Sequence, residues 1–296
     1  MTFVERFKTG LYMAAQSLFM LLTAEKKLLL YFGIPALTSV IIKLIAYNVW
    51  VIPLNSPLEL LSFSEKLVSN VLVTNHEIIQ FMLVALIHIT TTIVTVFFNV
   101  ALMHHIAHIF QGDETTIREA LAASLNKKKA IALWSILIVS IELLCQFSED
   151  MNSVVIGFAI TLLAVLFLIG TFFVLPLISF KNNALLTNIA ESMNMTKKNI
   201  VEIIGGTTWI AMITVVILAP FAILVYLAGP TFLPQILKNP GVYPTTLFCI
   251  LFVTEIVMRC ILWTAYSIFK VMLYQQYRRQ YPDAGEIEMM SYAEYF

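Results

Sequence analysis

The chain has 296 residues, of which 59% are hydrophobic and 12% charged, and its mean hydropathy is +0.87. A soluble globular chain is about half apolar and about a quarter charged, so this composition calls for an apolar solvent. The formal net charge is zero and no long basic or acidic run occurs, which leaves nucleic acid and other polyanions without an electrostatic footprint.

The chain opens on MTFVERFKTGLYMAAQSLFMLLTAEKK. This stretch lacks the basic, then apolar, then small-residue order of a cleavable signal. Its residues Phe3, Phe7, Leu11, Ala14, Leu18 and Leu21 recur at helical spacing, so residues 2–22 are expected to form an amphipathic helix lying flat at a membrane surface. A crossing segment needs about 20 mostly apolar residues, because backbone amides cannot go unpaired in lipid. Six segments meet that requirement, at approximately 28–51, 78–103, 130–147, 154–180, 200–227 and 245–273. Two further interfacial helices are expected at about 104–126 and 182–196. The expected fold is all-α: a single integral membrane domain over 1–296, built as a polytopic bundle of six transmembrane helices with interfacial amphipathic helices. Pro35, Pro176 and Pro220 fall inside the spans and predict kinks that neighbouring helices must accommodate.

Basic residues set the orientation. Arg6, Lys8, Lys26 and Lys27 precede the first span, and Arg118 with Lys127, Lys128 and Lys129 lies between the second and third. Lys181, Lys197 and Lys198 lie between the fourth and fifth, and Lys270, Arg278 and Arg279 come at or after the end of the sixth. The alternate loops hold only Lys66 and Lys238, so both termini are expected in the cytoplasm. The retained segments MAAQS to EKK, LAASLNKKK and IAESMNMTKK look alike, each with small residues and a serine before lysines. They read either as a threefold hairpin repeat gripping anionic headgroups or as ordinary interfacial anchoring. On the first reading Lys26, Lys27, Lys127, Lys128, Lys129, Lys197 and Lys198 contact lipid, each adding about 1 kcal/mol near an anionic surface.

The string FFNVALMHHIAHIFQGDETTIREALAASLNKKKAIALWSIL, followed by GTFFVLPLISF and the IAES helix, resembles a bacterial family of six-span membrane proteins known only as a domain of unknown function. The opening SLFMLLTAEKKLLLYFGIPAL and the closing aromatic helix with its short tail extend the likeness over the full length. The resemblance implies a polytopic bundle in a bacterial cytoplasmic membrane and carries no established activity or cofactor. One departure is HHIAH, where the family pattern has small apolar residues. The opening segment alone is also similar to sulfate-permease-like membrane proteins.

Ionisable groups inside a bilayer cost about 2.5 to 3.5 kcal/mol each on insertion scales, so each is a candidate for function. Glu255 and Arg259 lie four apart in the sixth span and can neutralise one another, either as a packing ion pair or as part of an ion or proton relay. Lys43 and Glu142 sit about 22 Å and about 18 Å from the cytoplasmic ends of their spans, so they either pair or, as is commoner, Lys43 snorkels to the headgroups and Glu142 sits in the outer interface. His88, in the run HITTTIVT, is about 15 Å from the outer end of its span, a depth comparable with Glu255, and a hydrogen bond between the two would mark the midplane. The threonines beside it either line a polar path or bond their own preceding turn.

His104 and His108 lie one helical turn apart, a spacing a metal can use. No carboxylate completes an HExxH motif, so an interfacial, pH-responsive role is the stronger expectation and no metal is assigned. Cys145, Cys249 and Cys260 form no CxxC and read as small hydrophobes. Gly205, Gly206, Thr207 and Thr208 lack the strand and lysine of a phosphate loop and are expected to allow close helix packing. Neither GxSxG nor a serine, histidine and carboxylate set at one depth occurs. The sequence therefore points to a non-enzymatic membrane protein without a cofactor, its partners being the bilayer and anionic headgroups. Passage of a small solute or ion is the first expectation, ahead of a lipid-interacting scaffold and of a membrane-embedded lipid enzyme.

Overall fold

A computed structural model describes residues 2–23, 26–38, 41, 77–149, 154–238 and 242–281; side chains at 22, 23, 26, 77–84, 147–149, 154, 217–218, 220–238, 242–255 and 258–259 lie outside that description. The described chain is helical. Helix α1 spans Phe3–Thr23 and a 3-10 turn follows at Lys26–Leu29, opening the short apolar helix Lys27–Thr38, here α2. Then come α3 (Glu77–Gln111), α4 (Ile117–Asn126), α5 (Lys128–Glu149), α6 (Val154–Gly170), α7 (Val174–Phe180), α8 (Leu185–Lys238) and α9 (Val242–Gln280). Among the described residues, four stretches are long and apolar enough to cross a membrane: Ala85–Gln111, Lys128–Gln146, Val155–Phe180 and Leu185–Val216. They correspond to the second to fifth expected spans. Most of the first expected span, 28–51, lies outside the described residues, and the first half of the sixth is described in its backbone only.

The chain divides into two compact units, one of Met1–Gly33 with Ile200–Leu273 and one of Ile34–Asn199 with Tyr274–Phe296. In the first unit α1 is capped by Thr2, whose hydroxyl accepts from the Glu5 amide at 3.3 Å while the Glu5 carboxylate accepts from the Thr2 amide at 2.7 Å. Its buried stripe is Gly10, Met13, Ala14, Ser17 and Leu21, a helical repeat. Phe3, Tyr12 and Phe19 are exposed. A Cβ at Gly10 would collide with the Glu202 carbonyl, and one at Gly205 with the Phe7 carbonyl, so glycine at both positions lets α1 and α8 meet backbone to backbone.

In the second unit the core gathers Val96, Val100, Ile131, Trp134, Val174 and Ile178 from α3, α5 and α7. Helix α3 runs on through the expected interfacial start at 104 to Gln111. It ends at Gly112, whose φ of 79° suits the left-handed cap. There the Asp113 amide donates to the His108 carbonyl and the Gly112 amide to that of Ile109. Helix α4 starts on a capping box in which Thr116 and Glu119 satisfy each other's amides. Helix α8 is two helices joined across a kink at Asn199, whose backbone is non-helical (φ −116°, ψ 17°), so the helix expected over 182–196 is distinct from the one that follows it.

The fourth expected span is interrupted: α6 stops at Gly170 and α7 resumes at Val174. Thr171 bonds back to the Phe167 carbonyl at 2.8 Å, and the Phe172 and Val174 amides reach only three residues back. The local helix is therefore tightened to the 3-10 type. Pro176 lies in the first turn of α7, where a missing amide is tolerated.

Candidate functional site

Within the second unit, His88 on α3 and Glu142 on α5 meet: imidazole Nε2 lies 2.7 Å from carboxylate Oε2. Both residues belong to stretches able to cross a membrane, Ala85–Gln111 and Lys128–Gln146. Their side chains are 33% and 47% exposed from the protein, so the pair is not sealed in the core. The expected partners were different ones, Lys43 for Glu142 and Glu255 for His88. Lys43 lies outside the described residues, and Glu255 and Arg259 are described in their helical backbone alone. Thr90, Thr91 and Thr95 bond the carbonyls of Leu86, His88 and Thr91 at 2.7, 3.0 and 2.9 Å. Their hydroxyl protons are thus committed to their own helix. A histidine hydrogen-bonded to a carboxylate can accept, hold and release a proton at constant geometry, which two isolated groups in an apolar medium do less readily.

The interruption between α6 and α7 is the second polar feature of that unit. Ser192 Oγ accepts from the Phe173 amide at 3.0 Å and donates to the Gly170 carbonyl at 3.1 Å. Thr196 Oγ1 donates to the same carbonyl at 3.2 Å. Two hydroxyls one turn apart on α8 thus satisfy backbone groups that the break releases, as an apolar medium requires. Ser192 is the serine of the third look-alike segment. Its counterparts Ser17 and Ser124 are also buried, but bond the carbonyls of Ala14 and Ala120 on their own helices. The sequence reading missed this contact, although Gly170, Pro176 and the serine–threonine spacing carried a signal for it.

The seven lysines assigned to headgroups divide. Lys127 donates to the Lys181 carbonyl at 2.9 Å and to the Asn182 side-chain oxygen, and partial burial lowers its pKa. It acts as a clip between α4 and the loop before α8. Lys128, Lys129 and Lys197 are exposed, as is Lys27. Lys198 lies over the rings of Tyr277 and Tyr281, 5.7 and 4.3 Å from their centroids. The side chain of Lys26 lies outside the described residues. The His104 and His108 rings lie 4.6 Å apart, and His108 Nδ1 is 3.3 Å from Asp113. Among the described residues no group of three or more His, Cys, Asp or Glu has metal-binding geometry.

In the first unit, Arg6 grips Glu202 with two parallel bonds, Nε to Oε1 at 2.6 Å and the terminal nitrogen to Oε2 at 2.7 Å. The Glu202 side chain is 6% exposed and that of Arg6 31%. This carboxylate lies inside the apolar stretch Leu185–Val216. It was not among the residues singled out from sequence, because its partner is 196 positions away.

A family model, described as a family of unknown function (DUF6159), matches residues 78–283. The chain belongs to that family. No curated protein and no solved structure matches it.

Proposed function

We propose that this member of the DUF6159 family is a six-span protein of a bacterial cytoplasmic membrane, with both termini in the cytoplasm, that lets a small solute or ion cross the bilayer. The His88–Glu142 hydrogen bond carries the reading, because it sets a titratable pair between two adjacent apolar helices, where uncompensated polar groups are selected against. The segments 28–51 and 245–273 complete the count of spans, and the one-sided distribution of Lys and Arg orients them. Glu255, Arg259 and Lys43 remain further intramembrane candidates of this reading on their place in the sequence alone. The chain makes or breaks no covalent bond and uses no cofactor.

The test is proton and solute flux in liposomes holding the purified protein, wild type against a His88→Gln, Glu142→Gln double variant. Flux above that of empty liposomes, abolished in a folded double variant, is the expected result. Equal flux in both proteins, or none in either across a broad solute panel, refutes it. A second reading, a lipid-interacting scaffold, is favoured by exposed Phe3, Tyr12 and Phe19 on α1 with Lys128 and Lys129 exposed at the start of α5. It predicts binding to anionic vesicles that falls when Lys128 and Lys129 become Gln.

A further inference from the structure

Asn188 is fully buried, and neither its side-chain oxygen nor its nitrogen has a partner among the described residues. A buried carboxamide without hydrogen bonds is strongly disfavoured, so an orphaned one signals an unfilled requirement. Its position says where. Asn188, Ser192 and Thr196 occupy successive turns of one α8 stripe, and the latter two bond the backbone of the α6–α7 break. The carboxamide therefore stands one turn beyond Ser192, alongside the start of α7. Hydroxyl lone pairs on Ser192 and Thr196 remain available to a donor, since each spends its single proton on Gly170.

The chemistry of what would fill the site follows from what Asn188 lacks. A bare cation would satisfy Oδ1 and leave Nδ2 orphaned, and a bare anion the reverse. A group that donates and accepts side by side satisfies both. The formal charges nearby are already matched: Glu191, one turn along α8, pairs with Lys181 at 2.6 Å, and Lys127 is held by the Lys181 carbonyl and Asn182. A neutral ligand is then preferred over an ion.

We infer that Asn188, with Ser192 and Thr196 against the interrupted helix, forms a binding site for a small neutral molecule bearing an adjacent donor and acceptor, of the alcohol or carboxamide class. This is a statement about occupancy, and it stands whether or not the His88–Glu142 pair carries flux.

The experiment is saturation-transfer NMR on the full chain in nanodiscs, with glycerol, ethylene glycol and acetamide as probes and empty nanodiscs as the baseline. Wild type is expected to give signals above baseline for at least one probe, and Asn188→Leu, which removes the polar group at similar volume, to abolish them while its thermal midpoint stays the same or rises. Signals retained in Asn188→Leu overturn the proposal, as does their absence from wild type, which would leave the orphan to a buried water. Should Asn188→Leu fail to fold, Asn188→Ala replaces it with the same two outcomes: lost signals support the site and retained signals overturn it.

Discussion

The Arg6–Glu202 pair makes a quantitative prediction because its two members differ in burial. Removing Arg6 (Arg6→Met) strands a carboxylate whose side chain is 6% exposed. Breaking a buried pair in that way costs about 3 to 5 kcal/mol. Removing the charge on Glu202 (Glu202→Gln) leaves a guanidinium that is 31% exposed and still has an amide oxygen to donate to. That cost should be about 1 kcal/mol, nearer to that of an exposed pair. The double variant Arg6→Met, Glu202→Met strands neither charge and should lie within about 1 kcal/mol of wild type, since apolar replacements of a buried pair are often neutral. Reversible unfolding in mixed detergent micelles, titrated with a denaturing detergent, measures all three. Equal costs for the two single variants, or a double variant as unstable as their sum, would refute the argument that Glu202 is the dependent partner.

Gly10→Ala and Gly205→Ala each drive a Cβ into a facing carbonyl, so each should cost about 1 to 3 kcal/mol as overpacking does and expose α1 to protease. Ser192→Ala orphans the Phe173 amide and removes a donor from Gly170. It should destabilise by about 2 kcal/mol, visible as faster amide exchange at Phe173. The Thr116 amide and hydroxyl hold the Glu119 carboxyl below its ordinary value of 4.5. A carboxyl depressed on folding contributes stability above its unfolded pKa and loses it as pH falls through the folded one. The first turn of α4 should therefore exchange faster as the pH falls below that ordinary value of 4.5, and Glu119→Gln, which cannot ionise, should remove that pH dependence. Lys127→Gln should lower thermal stability without changing anionic-lipid binding, whereas Lys128→Gln with Lys129→Gln should do the opposite.

Helix existence and apolar length were legible because lipid solvation acts on composition over some twenty residues, and such averages survive without knowing any neighbour. Rotation about a helix axis was not legible in the same way. His88 and Glu142 were both singled out as polar groups at depth, yet depth alone suggested Lys43 and Glu255 as their partners. It is the packing of α3 against α5 that turns them toward each other at 2.7 Å. Pro176 marked a kink in the fourth span, but not a full interruption between Gly170 and Val174, because Phe172, Phe173, Val174 and Leu175 keep the stretch apolar while the backbone changes course. Lys127, Lys128 and Lys129 are indistinguishable in sequence. Helix α4 ends at Asn126 and α5 begins at Lys128, so Lys127 falls in the turn and only it reaches Asn182.

Within each compact unit, then, the polar contacts bridge elements distant in sequence: residue 6 to 202 in one, 88 to 142 and 170 to 192 in the other. In a medium as apolar as the side chains themselves, burial of leucine against lipid or leucine discriminates little between registers. A hydrogen bond that can form at only one register discriminates strongly, since sliding α8 by one residue would orphan the Gly170 carbonyl and the Phe173 amide together. Ser192, Thr196 and Arg6 are accounted for by that requirement. Asn188 is not, because it bonds nothing that would set a register, and a polar group that costs stability without fixing packing is the one most in need of a ligand.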